Sequence, residues 1–231
     1  MAAPRRRRPG LTWQEYAAAW SRLHGGFDPE AAAPVVRGWI RLAYRGGILL
    51  GRLRVGPSAV TACGLLLCLA VPFAALLGCP GLLLAALLVL LASFADGLDG
   101  AVAVVTGRTS RLGFVYDSVA DRLGELAWLA AFWVAGVPGW LAAAGAAVSW
   151  LHEYVRARAA AGGMDGLGII TLGERPTRVS VAISGLLVGG VAGLLRPGWE
   201  TTVLMVAAVV WLGLGLIGLV QLVRAVRREL A

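Results

Sequence analysis

Apolar residues in this chain fall into long unbroken runs, without the half-wet rhythm of a helix on a soluble protein. Six runs, roughly 58–78, 81–105, 112–136, 139–160, 177–195 and 201–222, reach or approach the about 20 residues that a helix needs to cross a bilayer. Turn and breaker signals separate them: C-P-G at 79–81, the T-G-R-T-S-R loop, V-P-G at 137–139, the 161–176 segment and R-P-G-W at 196–199. Upstream, residues 35–55 alternate arginines with apolar residues at near-helical spacing. This pattern predicts an amphipathic helix on the membrane surface, with Trp39 and Tyr44 at headgroup level. Residues 1–35 are polar and broken by Pro4, Pro9, Pro29 and Pro34, as in a loose tail with one short helix. The expected fold class is all-α integral membrane, six transmembrane helices with an N-terminal amphipathic surface helix. Its parts are a cytosolic N-terminal extension (1–34), an amphipathic juxtamembrane helix (35–56) and a six-span domain (57–231).

Composition agrees with a membrane protein. Of 231 residues 58% are hydrophobic and 15% charged, where a soluble domain carries about 25% charged residues. The formal charge is +8, and since no lysine occurs, all 21 basic residues are arginine. They sit in short loops between apolar runs, which argues against a nucleic-acid partner. Basic residues gather in the N-terminus, the 106–111 loop, the 156–178 segment and the R-A-V-R-R tail, while the 78–81 and 137–139 turns carry no charge. The positive-inside rule then puts both termini and the 106–111 loop on the cytoplasmic side of the cell membrane. Arg5 to Arg8 are read as part of this orienting charge; the stretch after them is too polar for the core of a signal peptide. Cys63, Cys68 and Cys79 show no metal-ligand spacing and are read as packing residues, as are the lone His24 and His152. Gly185, Gly189 and Gly193 form a small-residue ladder, suited to helix contact within one chain or between two copies.

Four aspartates interrupt the oily pattern. Asp96 and Asp99 are three residues apart, and Asp117 and Asp121 four, so each pair shares one helix face. A carboxylate in a membrane costs on the order of 2.5–3.5 kcal/mol even on the gentler insertion scale, and four together repel unless cations sit between them. Two facing helices bearing four carboxylates suit two hard divalent cations, Mg2+ or Mn2+, over zinc. Gly100 and Gly113, about one turn from the aspartates, leave room for a phosphate or a neighbouring helix. Paired cations beside a basic loop at a membrane surface point to phosphate chemistry on a lipid-linked substrate. An ion pathway would instead place acids at mid-bilayer on several helices, whereas these gather at one cytoplasmic end.

The spacing resembles the signature of the CDP-alcohol phosphotransferase family, D-x-x-D-G-x-x-A-R followed by G-x-x-x-D-x-x-x-D. Asp96, Asp99, Gly100, Ala103, Gly113, Asp117 and Asp121 all fall in register. P-S-A-V-T (57–61) is similar to the family's P-N-x-x-T. E-Y-V-R-A-R-A and G-E-R-P-T-R resemble segments of its phosphatidylglycerophosphate and phosphatidylinositol-phosphate synthase branch. The resemblance implies that Asp96, Asp99, Asp117 and Asp121 hold the cations and that Asp121 is the general base. It implies CDP-diacylglycerol as donor, with Thr61, Asp96, Asp99, Gly100, Ala103, Gly113, Arg108 and Arg111 around the nucleotide. Arg156, Arg175 and Arg178 are the candidates for a phosphate on the acceptor alcohol, glycerol 3-phosphate or inositol phosphate. Membrane lipids and a second copy of the chain, as a homodimer, are the other partners expected.

Two positions depart from the signature. Val104 replaces its arginine, a gap for which Arg108 and Arg111 in the adjoining loop are the candidate substitutes, and Ser58 replaces an asparagine. Val104 is the main support for an alternative reading: a degenerate member that binds CDP-lipid or metal as a poorly active partner subunit. Glu153 sits awkwardly beside an anionic acceptor unless it is paired, for which Arg156 is at hand.

Overall fold

The structure, a computed structural model, describes residues 11–23, 27–164 and 171–230; Arg5 to Arg8 and His24 lie outside them. Among the described residues there are eight helices and no strand. They are α1 (Trp13–Leu23), α2 (Pro34–Arg52), α3 (Pro57–Ala75), α4 (Gly78–Thr106), α5 (Arg111–Val134), α6 (Gly139–Ala161), α7 (Arg175–Leu195) and α8 (Trp199–Leu230). The last six follow the six apolar runs, every boundary within three residues except the end of α8. That helix continues past 222 through the basic tail.

Local chemistry explains the ends. Pro57 opens α3 and Pro176 lies in the first turn of α7, where a missing N–H costs nothing. Thr12 and Glu15 cap α1 reciprocally: the Thr12 N–H donates to Glu15 Oε2 at 2.8 Å, and the Glu15 N–H donates to Thr12 Oγ1 at 3.3 Å. α4 closes on Gly107 at φ +65°, with the Arg108 N–H donating to the Ala103 carbonyl at 2.8 Å and the Gly107 N–H to that of Val104 at 3.2 Å. Three residues on, Ser110 caps α5 by accepting from the Gly113 N–H at 3.0 Å. One short turn thus reverses the chain between the two aspartate pairs.

α3, α4, α7 and α8 are long and apolar enough to cross a membrane. α5 and α6 have comparable lengths, 24 and 23 residues, but carry charges that remove them from that class by composition alone. α3 wedges between α4 and α5. The wedge is tight because small residues meet: a Cβ on Gly64 would stand 3.2 Å from that of Ala95, and one on Gly124 would stand 2.9 Å from Cys68 Sγ. The main core joins Val71, Leu82, Val89, Trp128, Phe132, Leu186, Leu204 and Trp211. Many large apolar side chains, among them Phe73, Leu76 and Trp140, point outward, as expected where the surroundings are lipid.

The glycine ladder on α7 is used inside the chain. A Cβ on Gly185 would stand 2.7 Å from that of Ala207, and one on Gly193 would stand 2.4 Å from Cys79 Sγ. The juxtamembrane helix is held to the bundle along one face. α2 carries a buried stripe of Ile40, Ala43 and Gly47, and it packs along α4. Tyr44 lies 5.0 Å from Tyr16 and 5.6 Å from Trp13, ring centre to ring centre, and its hydroxyl donates to the Leu11 carbonyl at 2.7 Å. Trp39 packs edge-on against Phe94 of α4. Tyr44 is thus half-buried against α1, while Trp39 stays 37% exposed beside Phe94; the α1 helix that covers Tyr44 has no strong signal in the α2 pattern.

Candidate active site

Asp96 lies eighteen residues into α4, about 27 Å along a helix about 43 Å long, so it sits toward one end of the bundle. The 107–110 turn brings α5 back at that end. The two aspartate pairs converge: carboxylate oxygens of Asp96, Asp117 and Asp121 lie within 4.8 Å of one another. Asp99 stands apart from this trio, buried and accepting a hydrogen bond from the Thr61 hydroxyl. Thr61, Asp96, Asp99, Asp117, Asp121 and Arg175 nonetheless line one small cavity of about 20 Å3. That suits ions or water and not a nucleotide.

Arg175, expected at the acceptor, reaches into the carboxylates. One of its nitrogens pairs with Asp96 and another with Asp121 at 2.6 Å. It enters from the start of α7, so three helices meet in this ion cluster. Arg178, one turn further on, is enclosed at 3% exposure. Its Nη2 donates to Glu153 Oε1 at 2.9 Å and its Nε lies 2.9 Å from Glu125 Oε1. Arg122 closes the group, 3.0 Å from each of Glu125 and Glu153. Glu153 therefore finds its partners in Arg122 and Arg178, while Arg156 pairs with Glu174. His152 is buried, 2.9 Å from Thr171 Oγ1, in a structural setting. Sequence reasoning passed over Arg122 and Glu125. Their one signal is spacing, since Glu125 falls four residues after Asp121 and continues its helix face.

A larger cleft of about 680 Å3 opens beside the cluster, between α5 and α6. Phe114, Val119, Trp150 and Tyr154 give it apolar walls, and Arg122, Glu153 and Arg156 a charged end. Asp121 lines both the small cavity and this cleft. Arg108 and Arg111 are exposed in and beside the 107–110 turn and line neither. Gly100 is exposed, with nothing within 4 Å of where its Cβ would stand; a Cβ on Gly113 would stand only 3.0 Å from Ser110 Oγ. Val104 packs against an apolar cluster on α1 and α2, away from the cavity.

The donors fit divalent cations. They are oxygens only, as hard ions require. Six carboxylates (Asp96, Asp99, Asp117, Asp121, Glu125, Glu153) face three guanidiniums (Arg122, Arg175, Arg178), an excess of three formal negative charges. Charges of one sign held this close are relieved by bound protons or by cations from outside the chain.

The profile of the CDP-alcohol phosphatidyltransferase family matches residues 54–226. The chain belongs to this family, which makes it a multi-pass membrane protein of the transferase class. It is 36% identical over 103 residues to the archaetidylinositol phosphate synthase of Aeropyrum pernix, covering 44% of this chain and 51% of that one. It is 39% identical over 98 residues to the phosphatidylinositol phosphate synthase of Mycolicibacterium smegmatis, covering 39% and 43%. These alignments span about half of each relative's length. The crystal structure of Mycobacterium tuberculosis phosphatidylinositol phosphate synthase with CDP-DAG bound superposes with a TM-score of 0.64 at 26% identity, over 80% of this chain and 94% of that one. The same mycobacterial enzyme has also been solved in complex with manganese and citrate.

Proposed function

We propose that this chain transfers a phosphatidyl-type group from CDP-diacylglycerol to a small phosphorylated alcohol, with release of CMP. The observation that carries the reading is the convergence of Asp96, Asp117 and Asp121, with Asp121 facing the acceptor cleft as well. Asp96, Asp99, Asp117 and Asp121 would hold two divalent cations, Mg2+ or Mn2+, which when bound offset charge on the diphosphate and the leaving group. Asp121 takes the proton from the acceptor hydroxyl. That oxygen bonds to the phosphorus nearest the lipid, the bond to the bridging diphosphate oxygen breaks, and CMP leaves. Thr61 fixes the Asp99 carboxylate through its hydroxyl. The open side of Gly100 leaves room for the nucleotide, whose surroundings also include Ala103, Gly113, Arg108 and Arg111.

Arg156, which lines the cleft and pairs with Glu174, would grip the acceptor's phosphate with its guanidinium fork. Arg175 neutralises charge at Asp96 and Asp121. Arg178 supports the site through its ion pairs. The names of the relatives favour inositol phosphate over glycerol 3-phosphate. The loops that carry the site are the arginine-bearing ones, which supports a cytoplasmic active site and a six-span topology. A homodimer belongs to the same reading, with its interface on faces other than the α7 glycine ladder. The relatives are named synthases and Val104 points away from the cavity, so the poorly active partner subunit is not adopted.

The test is CMP release from purified protein in liposomes containing CDP-diacylglycerol, with Mg2+ and a panel of alcohols. Release with inositol phosphate above glycerol 3-phosphate, serine and free inositol is the expected outcome. No release with any phosphorylated alcohol refutes the reading.

A further inference from the structure

The aspartate helix α4 works on two sides. One side presents Asp96 and Asp99 to the cavity. The other carries Ala101, buried in a cluster with Tyr16, Ile40 and Ala43, while Val104 and Val105 pack against that cluster beside Trp13, Trp20 and Tyr44. α2 meets α4 here almost backbone to backbone. A Cβ on Gly47 would stand 3.1 Å from the Ala101 carbonyl carbon and 3.2 Å from its oxygen, and one on Gly46 would stand 2.7 Å from Leu98 Cδ1. α1 locks the assembly from outside. The Tyr44 hydroxyl holds the Leu11 carbonyl, Trp13 Nε1 donates to Glu30, and the Arg41 guanidinium lies 5.1 Å from the centre of the Trp13 ring while pairing with Glu30 at 3.6 Å. Both helices precede residue 54, where the family profile begins its match.

We propose that α1 and α2 form a cap that belongs to the catalytic unit, seated on Val104, and that Val104 is a positioning residue. Through this apolar joint the cap fixes the Asp96–Asp99 turn from behind. An arginine at 104 would carry a charge into a cluster of aromatic and aliphatic side chains whose neighbouring carboxylate, Glu30, is already paired with Arg41 and Trp13, and the cost of burying it would lift the cap. The departure from the signature is thus the seat of an added element. The positioning half of the proposal rests on the reading of Asp96 and Asp99 as cation-holding residues.

The test uses the full chain in nanodiscs and two readouts that do not depend on turnover. Mn2+ affinity is read from the electron paramagnetic resonance of the free ion. Cap seating is read from the rate of tryptic cleavage after Arg22, exposed on α1 and protected there by helical backbone. Val104→Arg should speed that cleavage and weaken Mn2+ binding on the order of tenfold, the scale of a lost supporting contact behind a ligand. Val104→Ile should change neither, and Gly47→Leu, which forces α2 off the Ala101 backbone, should reproduce both effects. If Val104→Arg fails to fold, Val104→Thr puts a hydroxyl in the same place with little change in shape and should shift both readouts the same way. An unchanged cleavage rate in Val104→Arg overturns the seat; faster cleavage with unchanged Mn2+ affinity overturns the positioning role. Wild-type protein that binds no Mn2+ removes the functional reading and the positioning role with it, and the cleavage arm still decides the seat.

Discussion

Arg178 and Glu125 offer the sharpest test of how the site is held. Both are enclosed, at 3% and 1% exposure, and they belong to a quartet with Arg122 and Glu153 in which every ion-pair distance is 2.9 or 3.0 Å. The quartet is formally neutral. Arg178→Met leaves it with one negative charge in excess, and Glu125→Leu leaves one positive charge. Removing one partner of a buried pair typically costs about 3–5 kcal/mol, because the survivor stays desolvated and uncompensated. The double variant behaves differently, since it leaves Arg122 and Glu153 paired at 3.0 Å. It also removes three buried atoms that have no hydrogen-bond partner, Glu125 Oε2, Arg178 Nη1 and Arg178 Nε, the last in ion-pair contact only. Each single variant should therefore lose about 3–5 kcal/mol, and the double should lie within about 1 kcal/mol of wild type, as buried ion pairs replaced by apolar residues often do. The assay is unfolding in mixed micelles followed by circular dichroism across an SDS titration, as a double-mutant cycle. Additive losses would refute the compensation argument. Arg178→Met with an unchanged midpoint and a raised KM for the acceptor would return Arg178 to the acceptor site.

Asp121→Asn should lower CMP release by about 10²–10⁴-fold, the span of a lost general base, while Mn2+ binding persists through Asp96 and Asp117; turnover near wild type would remove Asp121 from that role. Arg156→Lys should raise the KM for a phosphorylated acceptor about tenfold and leave that for CDP-diacylglycerol unchanged, since an ammonium replaces a bidentate fork with a point charge. Tyr16 supplies a pH test of the cap: burial pushes its hydroxyl up from 10.0 to about 12. The folded state holds that proton more tightly, so the contribution is whole below pH 10, shrinks as pH rises from 10 to 12 and is gone above. Thermal melts of wild type should fall across that window more steeply than those of Tyr16→Phe, and parallel curves would place the phenol outside the cap.

The parts of this protein that could be read early are those whose information is local. Breaks between helices followed from the C-P-G, T-G-R-T-S-R, V-P-G and R-P-G-W signals, and the aspartate register from spacing on either side of one short loop. What stayed hidden depends on residues far apart in sequence. Nothing near Glu153 indicates that its partners are Arg122 and Arg178, rather than Arg156 one turn away. The glycines of α7 read equally well as an interface between copies until Ala207 and Cys79 are seen against them. Val104 looked like a missing functional group because its neighbours, Tyr16 and Ala43, lie sixty or more residues upstream.

The wedge of α3 between the aspartate helices has a consequence for ion choice. Gly64 on Ala95 and Cys68 on Gly124 act as shims between α4 and α5, and both Gly64 and Cys68 also line the small cavity that the aspartates share. Mg2+ wants oxygens at about 2.0–2.1 Å and Ca2+ at about 2.3–2.6 Å, so the two ions ask for different gaps between the same aspartates. The gauge that separates them is cut in the apolar wall of the cavity itself, where a methyl group added to Gly64 would press on Ala95 and widen the gap.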